Sequence, residues 1–209
     1  MNVLVIGATG PTGQAVVVNA LAAGHKVTAL ARDPAKLDQQ HPDLRVVTGD
    51  VLAPDTLEPV MQGQDAVISA LGSTFTRKPT ELVSTGTANV IAAMKKSGVP
   101  RLICITGFGA GESRGEANFV IDKLVFRGLL AELYRDKDRQ EDEIRRSGLD
   151  WIIVRPVRLT KSAARGYAAT TDMSAVKSST VTRADVASFC VDQLLDDSNL
   201  GHAVAVGSA

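Results

Sequence analysis

Three glycines spaced three residues apart, Gly7, Gly10 and Gly13, form the clearest chemical motif in the chain. They follow an apolar run at 2–6 and precede an alanine- and valine-rich stretch, which predicts a buried strand, a tight turn and a helix. Such a turn directs unpaired backbone N–H groups and the positive end of a helix dipole toward one place, which suits a phosphate. We expect Gly7 to make the turn, Gly10 to let a pyrophosphate approach the backbone, and Gly13 to let the helix pack on the strand. The predicted phosphate-binding residues are Gly7, Thr9, Gly10, Pro11, Thr12 and Gly13.

In a dinucleotide-binding βαβ unit the second strand ends beside the adenosine ribose. The strand predicted at 25–31 ends at Arg32, whose guanidinium can pair with a 2′-phosphate, so the sequence favours NADP(H). The neighbouring Asp33 can instead hydrogen-bond a ribose 2′-hydroxyl, which leaves NAD(H) possible. Asp33 can also cap the short helix that Pro34 begins.

The ends of the later predicted strands supply further candidates. Asp50 follows the third strand and either reaches the adenine amino group, with Val51 against the ring, or forms an Asx turn. Thr106 ends the fifth strand. Small residues after the fourth strand leave room for the nicotinamide half of a cofactor; they are Ala70, Leu71 and Gly72.

These candidates require an architecture that brings strand ends together. Strands are predicted to alternate with helices at about 12–23, 80–97, 117–146 and 182–195. This alternation predicts an α/β fold, a Rossmann-like, doubly wound and mostly parallel sheet with helices on both faces. Ligands of such a sheet bind beyond the carboxyl ends of the strands, where the candidates lie.

One NAD(P)-binding domain is predicted to span 1–209, with a small substrate-side portion at about 157–181. We expect that portion to be an irregular, mobile loop. We also expect most of the charge at 135–143 to form a solvated helix face.

Composition limits the classes of function. The 209 residues contain 23 Lys and Arg against 23 Asp and Glu, a formal net charge of zero that disfavours nucleic-acid binding. No apolar run reaches the roughly 18 residues of a membrane span, so we expect a cytoplasmic protein. Cys104 and Cys190 have neither metal-ligand nor redox spacing and are predicted to be core residues. The three histidines are scattered, so no metal site is expected.

Several motifs together resemble one protein family. They are the glycine turn at 7–13, Arg32-Asp33-Pro34, Gly49-Asp50-Val51, the stretch SGLDWIIVRP at 147–156, and the stretch TRADVA at 182–187. In these motifs the chain resembles the atypical short-chain dehydrogenase/reductases. It is most similar to their NAD(P)H-binding group, which includes biliverdin reductase B (flavin reductase) and NmrA-like proteins. The resemblance extends over nearly the whole chain.

The resemblance implies two catalytic candidates. Members of the wider family use a Tyr-x-x-x-Lys pair, and Lys137 looks like the lysine, which would also hold the nicotinamide ribose. The residue four positions earlier is Leu133, with Tyr134 one position off. Because one position turns a helical side chain by about 100 degrees, no catalytic tyrosine is assigned. Thr106 matches the family's serine or threonine on the fifth strand, which implies a hydrogen bond to a substrate carbonyl or the nicotinamide; the alternative is a strand-end hydroxyl satisfied by backbone.

The resemblance also implies an activity, NADPH-dependent reduction of a planar conjugated acceptor such as a flavin, a tetrapyrrole or a quinone. Arg155, Arg158 and Lys161 lie near the expected mouth and are candidates to attract an acidic small molecule, although Arg155 can also be a structural anchor. One alternative is a reductase, epimerase or isomerase that recruits another acid, such as Tyr134 or Tyr167. Another is a non-catalytic, NmrA-like NADP(H) sensor that binds a protein partner.

Overall fold

The computed structural model describes residues 1–72, 80–116 and 130–209. Its strands are β1 (Asn2–Ile6), β2 (Lys26–Ala31), β3 (Leu44–Thr48), β4 (Ala66–Ser69), β5 (Arg101–Ile105), β6 (Asp150–Pro156), β7 (Arg158–Thr160), β8 (Tyr167–Thr170), β9 (Thr180–Thr182) and β10 (His202–Ser208). Eight of them form a sheet in the order β3-β2-β1-β4-β5-β6-β10-β8. Its neighbouring strands are parallel except β8, which runs antiparallel to β10. The predicted Rossmann-like α/β fold is confirmed.

The chain changes direction across the sheet at β1. This strand pairs with β2 on one side and with β4 on the other, so the connection from β1 to β2 and the connection from β4 to β5 run in opposite directions. At such a switch point a crevice opens beyond the carboxyl ends of the strands. The glycine turn follows β1 directly and therefore lies at this crevice.

Helices cover both faces of the sheet. The described helices are α1 (Pro11–Ala22), α2 (Glu58–Met61), α3 (Leu82–Ser97), α4 (Ala131–Arg145) and α5 (Arg183–Asp192). α1 packs against α5 on one face, and α3 packs against α4 on the other. Successive strand residues point to opposite faces, so Val3 joins the core beneath α1 whereas Leu4 joins the core beneath α3. Burial on both faces explains why these strands are continuous apolar runs.

The prediction of an irregular loop after β6 is wrong. This segment contains β7, β8 and a 3-10 turn at Met173–Ala175, and β7 pairs with β9 in a separate parallel two-stranded sheet. Pairing with β10 was not visible in the sequence of β8, because its partner lies more than 30 residues away and its alanines carry no strong strand signal.

The prediction of a largely solvated helix at 135–143 also needs correction. Asp136, Gln140 and Glu141 are fully buried on α4. The carboxylate of Asp136 accepts hydrogen bonds from the backbone N–H groups of Val83 and Ser84 at 3.0 and 3.2 Å, and from the Ser84 hydroxyl at 2.5 Å. Asp136 therefore caps the start of α3, which receives no side-chain cap from its own N-cap residue.

Other parts of the sequence prediction have clear outcomes. Cys104 and Cys190 are buried, as expected for core residues. The predicted capping box opens α5, since the Thr182 hydroxyl accepts from the Asp185 N–H at 3.0 Å and donates to its carboxylate at 2.7 Å. The loop predicted at 73–79 and the first half of the helix predicted at 117–146 lie outside the described residues. Of the helices that are described, none is long and apolar enough to cross a membrane, and the cytoplasmic location stays a prediction.

Candidate functional site

The glycine turn has the geometry of a ligand cradle. Gly7 has a φ of +74°, and a Cβ added there would lie 2.6 Å from the Ala70 carbonyl oxygen. A Cβ on Gly13 would lie 2.1 Å from the Gly7 carbonyl oxygen, so the helix approaches the strand too closely for any side chain. A Cβ on Gly10 meets just one described neighbour, the Gly7 oxygen at 3.4 Å. The fold therefore requires Gly7 and Gly13, whereas Gly10 leaves space on the side of the crevice.

The start of α1 supplies donors to this space. The first hydrogen bond of the helix runs from the Gln14 N–H to the Gly10 carbonyl at 2.8 Å. The N–H groups of Thr12 and Gly13 come before it and have no partner in the helix, and Pro11 at the first helical position has no N–H. Free donors and the positive end of the helix dipole thus meet at the turn, which is what an anionic group needs.

A cleft of about 400 Å³ opens from this turn along the carboxyl ends of the strands. It gathers the residues predicted to bind the phosphates, the adenosine and the near side of the nicotinamide. Its lining includes Gly7, Thr9, Gly10, Pro11, Thr12, Gly13, Arg32, Asp50, Val51, Ala70, Leu71 and Gly72. Thr106 and Lys137 do not line this cleft. The donors, the open position at Gly10 and the shape of the cleft fit a dinucleotide.

Two neighbouring side chains at the end of β2 have different environments. Arg32 is exposed, lines the cleft and makes no hydrogen bond or ion pair with a described residue. Asp33 accepts from the Ala35 N–H at 3.2 Å, as the predicted cap of the 3-10 turn, and lies 3.6 Å from the Lys36 ammonium. The guanidinium is therefore the group that remains available to a ligand.

Asp50 forms the Asx turn that the sequence left open. Its carboxylate accepts from the Leu52 N–H at 3.0 Å while its side chain still lines the cleft. The buried Val51 lines the cleft beside it. A Cβ on Gly86 of α3 would lie 2.8 Å from both Val51 and Leu71, so this glycine lets the helix support the floor of the cleft.

Thr106 and Lys137 form a second group at the end of β5. The Thr106 hydroxyl donates to the Glu141 carboxylate at 2.8 Å, and the Lys137 ammonium donates to the Thr106 carbonyl oxygen at 2.6 Å. Burial lowers the pKa of Lys137 from its ordinary value. Because the hydroxyl proton points at a carboxylate, the Thr106 oxygen is left to accept hydrogen bonds rather than donate them. The catalytic assignments of these residues stay predictions.

Arg155 is a structural anchor rather than a mouth residue. It is fully buried, with its guanidinium bound to Glu141 at 2.5 and 3.0 Å and to Glu112 at 2.7 and 2.8 Å. Hydrogen bonding from Arg155 lowers the pKa of Glu112 to about 2. Glu141 therefore connects this ion-pair network to the Thr106 hydroxyl, which fixes the orientation of that hydroxyl.

A second cavity of about 860 Å³ lies at the ends of β5 and β6. Its walls are mainly apolar, and Thr106, Gly107, Phe108, Tyr134, Pro156, Val157, Arg158, Leu159, Met173, Val176 and Lys177 contribute to them. Lys161 is exposed and does not line it. Since β4 and β5 are adjacent, this cavity lies beside the end of the cleft at Ala70, Leu71 and Gly72, where the nicotinamide half of a cofactor is predicted.

The two tyrosines considered as acids have distinct positions. Tyr134 lines the second cavity, and its hydroxyl donates to the Phe108 carbonyl oxygen at 3.0 Å. Burial raises the pKa of Tyr134 to about 12, the opposite of what an activated tyrosine needs. Tyr167 lies on the edge strand β8, lines neither cavity, and donates to the Asp192 carboxylate at 2.6 Å.

Sequence reasoning missed Arg183, which lines the cleft from α5. The available signal was the capping box beside it, because a helix on a parallel sheet starts at the edge where the ligand binds. Sequence reasoning also missed Glu141, whose partners are distant in the sequence.

Comparisons with known proteins agree with this geometry. A family profile described as NAD(P)H-binding matches residues 7–197. The sequence is 30% identical over 208 residues to an uncharacterized chloroplastic protein of Arabidopsis thaliana, covering 94% of this chain and 72% of the relative. A Rossmann-fold NAD(P)-binding family protein from Shigella flexneri has 30% identity and a TM-score of 0.76, covering 99% of this chain and 93% of that one. ChuY, an anaerobilin reductase from Escherichia coli O157:H7, has 24% identity and a TM-score of 0.83, covering 100% and 97%.

Proposed function

Because the chain belongs to the NAD(P)H-binding family, we propose that it is an NADPH-dependent reductase of a planar conjugated acceptor, such as a flavin, a tetrapyrrole or a quinone. The observation that supports this proposal most directly is the large apolar cavity beside the predicted nicotinamide end of the cleft. A bound nicotinamide cofactor supplies a hydride. The chain holds the two partners together and excludes water, which is most of what such a transfer requires of a protein.

The preference for NADPH over NADH rests on the end of β2. The Arg32 guanidinium is available at the cleft, whereas the Asp33 carboxylate is occupied by a cap and an ion pair. A free guanidinium favours a 2′-phosphate, and an occupied carboxylate is less able to bind a ribose 2′-hydroxyl. These two environments support NADP(H), with NAD(H) as the alternative.

The second cavity supports the class of acceptor. Its apolar walls suit the faces of a flat ring system, and among its charged lining residues the two cations Arg158 and Lys177 outnumber the one anion, Glu116. We propose that the substrate-side portion at 157–181 binds the acceptor there, and that the small-molecule acceptor carries acidic groups. The structural likeness to an anaerobilin reductase is in keeping with a tetrapyrrole-like acceptor, although at 24% identity it extends to the fold alone.

The hydroxyl groups of Tyr134 and Thr106 are poorly placed to donate a proton in the second cavity. The raised pKa of Tyr134 makes its hydroxyl a weaker acid, and its proton is directed to the Phe108 carbonyl oxygen, as the Thr106 proton is directed to Glu141. A conjugated acceptor that takes its proton from water has no need of a protein acid. An epimerase or isomerase does need one, and Glu116, which lines the same cavity, is the residue through which that alternative would act.

The test is oxidation of NADPH by the purified protein with FMN, biliverdin or menadione, compared with the variant Arg158→Ala. We expect wild type to reduce at least one of them. If the acceptor is anionic, the variant should raise the KM for FMN or biliverdin severalfold and leave the uncharged menadione unaffected. No turnover with any of the three would refute the proposal. Equal binding of NADPH and NADP⁺ without turnover would instead favour the NmrA-like sensor with a protein partner.

A further inference from the structure

Arg183 brings a cation to the cleft from the far end of the sequence. It is the first residue of α5, directly after the capping residue Thr182, and α5 packs along α1. Its side chain lines the same cleft as the glycine turn at the start of α1. The start of the chain and residue 183 therefore contribute to one binding surface.

The charges around the cleft leave a place for this cation. Among the described lining residues, the charged ones are Arg32, Arg183 and Asp50. Arg32 lies at the adenosine-ribose position, and the start of α1 contributes a partial charge of only about +0.5. Asp50 has the wrong sign for a phosphate. Without Arg183, none of the described lining residues would place a full positive charge beside the ionised pyrophosphate of a dinucleotide.

The guanidinium of Arg183 is held but not saturated. Its Nη1 donates to the carbonyl oxygen of Thr160 on β7 at 3.0 Å, which orients the planar group. A guanidinium has five N–H donors, and no described carboxylate forms an ion pair with Arg183. Donors therefore remain for an anion in the cleft, as in the paired recognition of phosphates by arginine elsewhere.

We infer that Arg183 binds the cofactor pyrophosphate and connects it to β7, the first strand of the substrate-side portion. This inference rests on the cofactor part of the proposed function and adds a residue to it. Arg183 recognises a group that NADPH and NADH share, whereas Arg32 recognises the 2′-phosphate that distinguishes them. The Arg183 side chain thus links the phosphate site to the acceptor side of the molecule through its hydrogen bond to β7.

Two fragments separate the two arginines in a binding experiment that needs no turnover. ADP-ribose carries the pyrophosphate without the 2′-phosphate, and adenosine 2′-monophosphate carries the 2′-phosphate without the pyrophosphate. We expect R183Q to weaken ADP-ribose binding in titration calorimetry by about tenfold or more, the range for charge-assisted hydrogen bonds, and to leave adenosine 2′-monophosphate within about twofold. R32A should give the opposite pattern. Glutamine is shorter than arginine, so R183Q removes the contact with the Thr160 carbonyl together with the charge. R183K keeps a positive charge on a long side chain and should restore part of the affinity.

Each outcome has a defined meaning. If R183Q binds ADP-ribose like wild type while its melting temperature falls, Arg183 is a structural tie to β7 and the inference is overturned. An equal loss for both fragments would overturn it as well, because the effect would not belong to the pyrophosphate. If wild type binds neither fragment, the cofactor part of the proposed function fails together with the inference.

Discussion

Replacing Arg32 with alanine tests whether the protein prefers NADPH to NADH through the 2′-phosphate, the one group by which the two cofactors differ. The guanidinium is exposed and makes no hydrogen bond or ion pair with a described residue, so its removal should leave the fold and its stability unchanged. Charge-assisted hydrogen bonds contribute about 1.5–3 kcal/mol, and solvent screening at an exposed site favours the lower end. We therefore expect Arg32→Ala to weaken NADPH binding by about 1.5 kcal/mol, roughly tenfold, and to change NADH binding by less than about twofold.

Titration calorimetry with both cofactors at two salt concentrations measures this difference. The matched control is Arg45→Ala, which removes the same charge from an exposed position on β3 outside the cleft. The control should leave both affinities unchanged, and the loss caused by Arg32→Ala should shrink at high salt. Equal losses of NADPH and NADH, or an equal effect of the control, would show that Arg32 does not contact the 2′-phosphate.

Three further predictions follow from the geometry of the site. Gly13→Ala should lower the free energy of unfolding in urea by about 1–3 kcal/mol through overpacking, whereas Gly10→Ala should unfold like wild type and lose NADPH affinity. Because Arg155 lowers the pKa of Glu112 to about 2, the ionised carboxylate stabilises the fold above its ordinary pKa of 4.5, and this contribution is lost as the pH falls toward 2. Glu112→Gln should therefore be less stable than wild type at neutral pH, with a difference that shrinks between about pH 5 and 2. Asp136→Ala should lower the free energy of unfolding by at least about 1–3 kcal/mol, because it leaves buried donors without an acceptor.

Each of these has a contrary result. Equal stability of Gly13→Ala and Gly10→Ala would contradict the close approach of helix and strand. A stability difference for Glu112→Gln that is the same at pH 7 and pH 2 would exclude the ion pair as its cause. Full stability of Asp136→Ala would mean that the start of α3 is satisfied in another way.

The parts of the site that sequence could predict are local. The spacing of Gly7, Gly10 and Gly13 between a strand and a helix predicts the turn because each glycine is needed for a contact within a few residues or for an open approach. Arg32 was likewise predictable because β2 follows α1 through a short connection, and its end position is set by the unit itself.

The parts that sequence could not predict depend on distant partners. Glu141 lies in a run of charged residues, and nothing near it distinguishes a buried carboxylate from an exposed one. Its burial is possible because Arg155, on a strand that follows the helix, supplies the opposite charge. The Arg155 guanidinium donates two hydrogen bonds to Glu141 and two to Glu112. Helical periodicity reports which residues share a face, but it does not report what that face meets.

The cap that Asp136 provides for α3 has a consequence for the order in which the chain gains structure. The carboxylate lies 53 residues after the Val83 N–H that it accepts from. During synthesis, α3 leaves the ribosome well before its cap exists, so its first turn stays frayed until α4 docks. In refolding followed by pulsed hydrogen exchange, the N–H groups of Val83 and Ser84 should gain protection together with α4, later than the middle of α3. Completion of the first turn of α3 thus depends on a helix that follows β5.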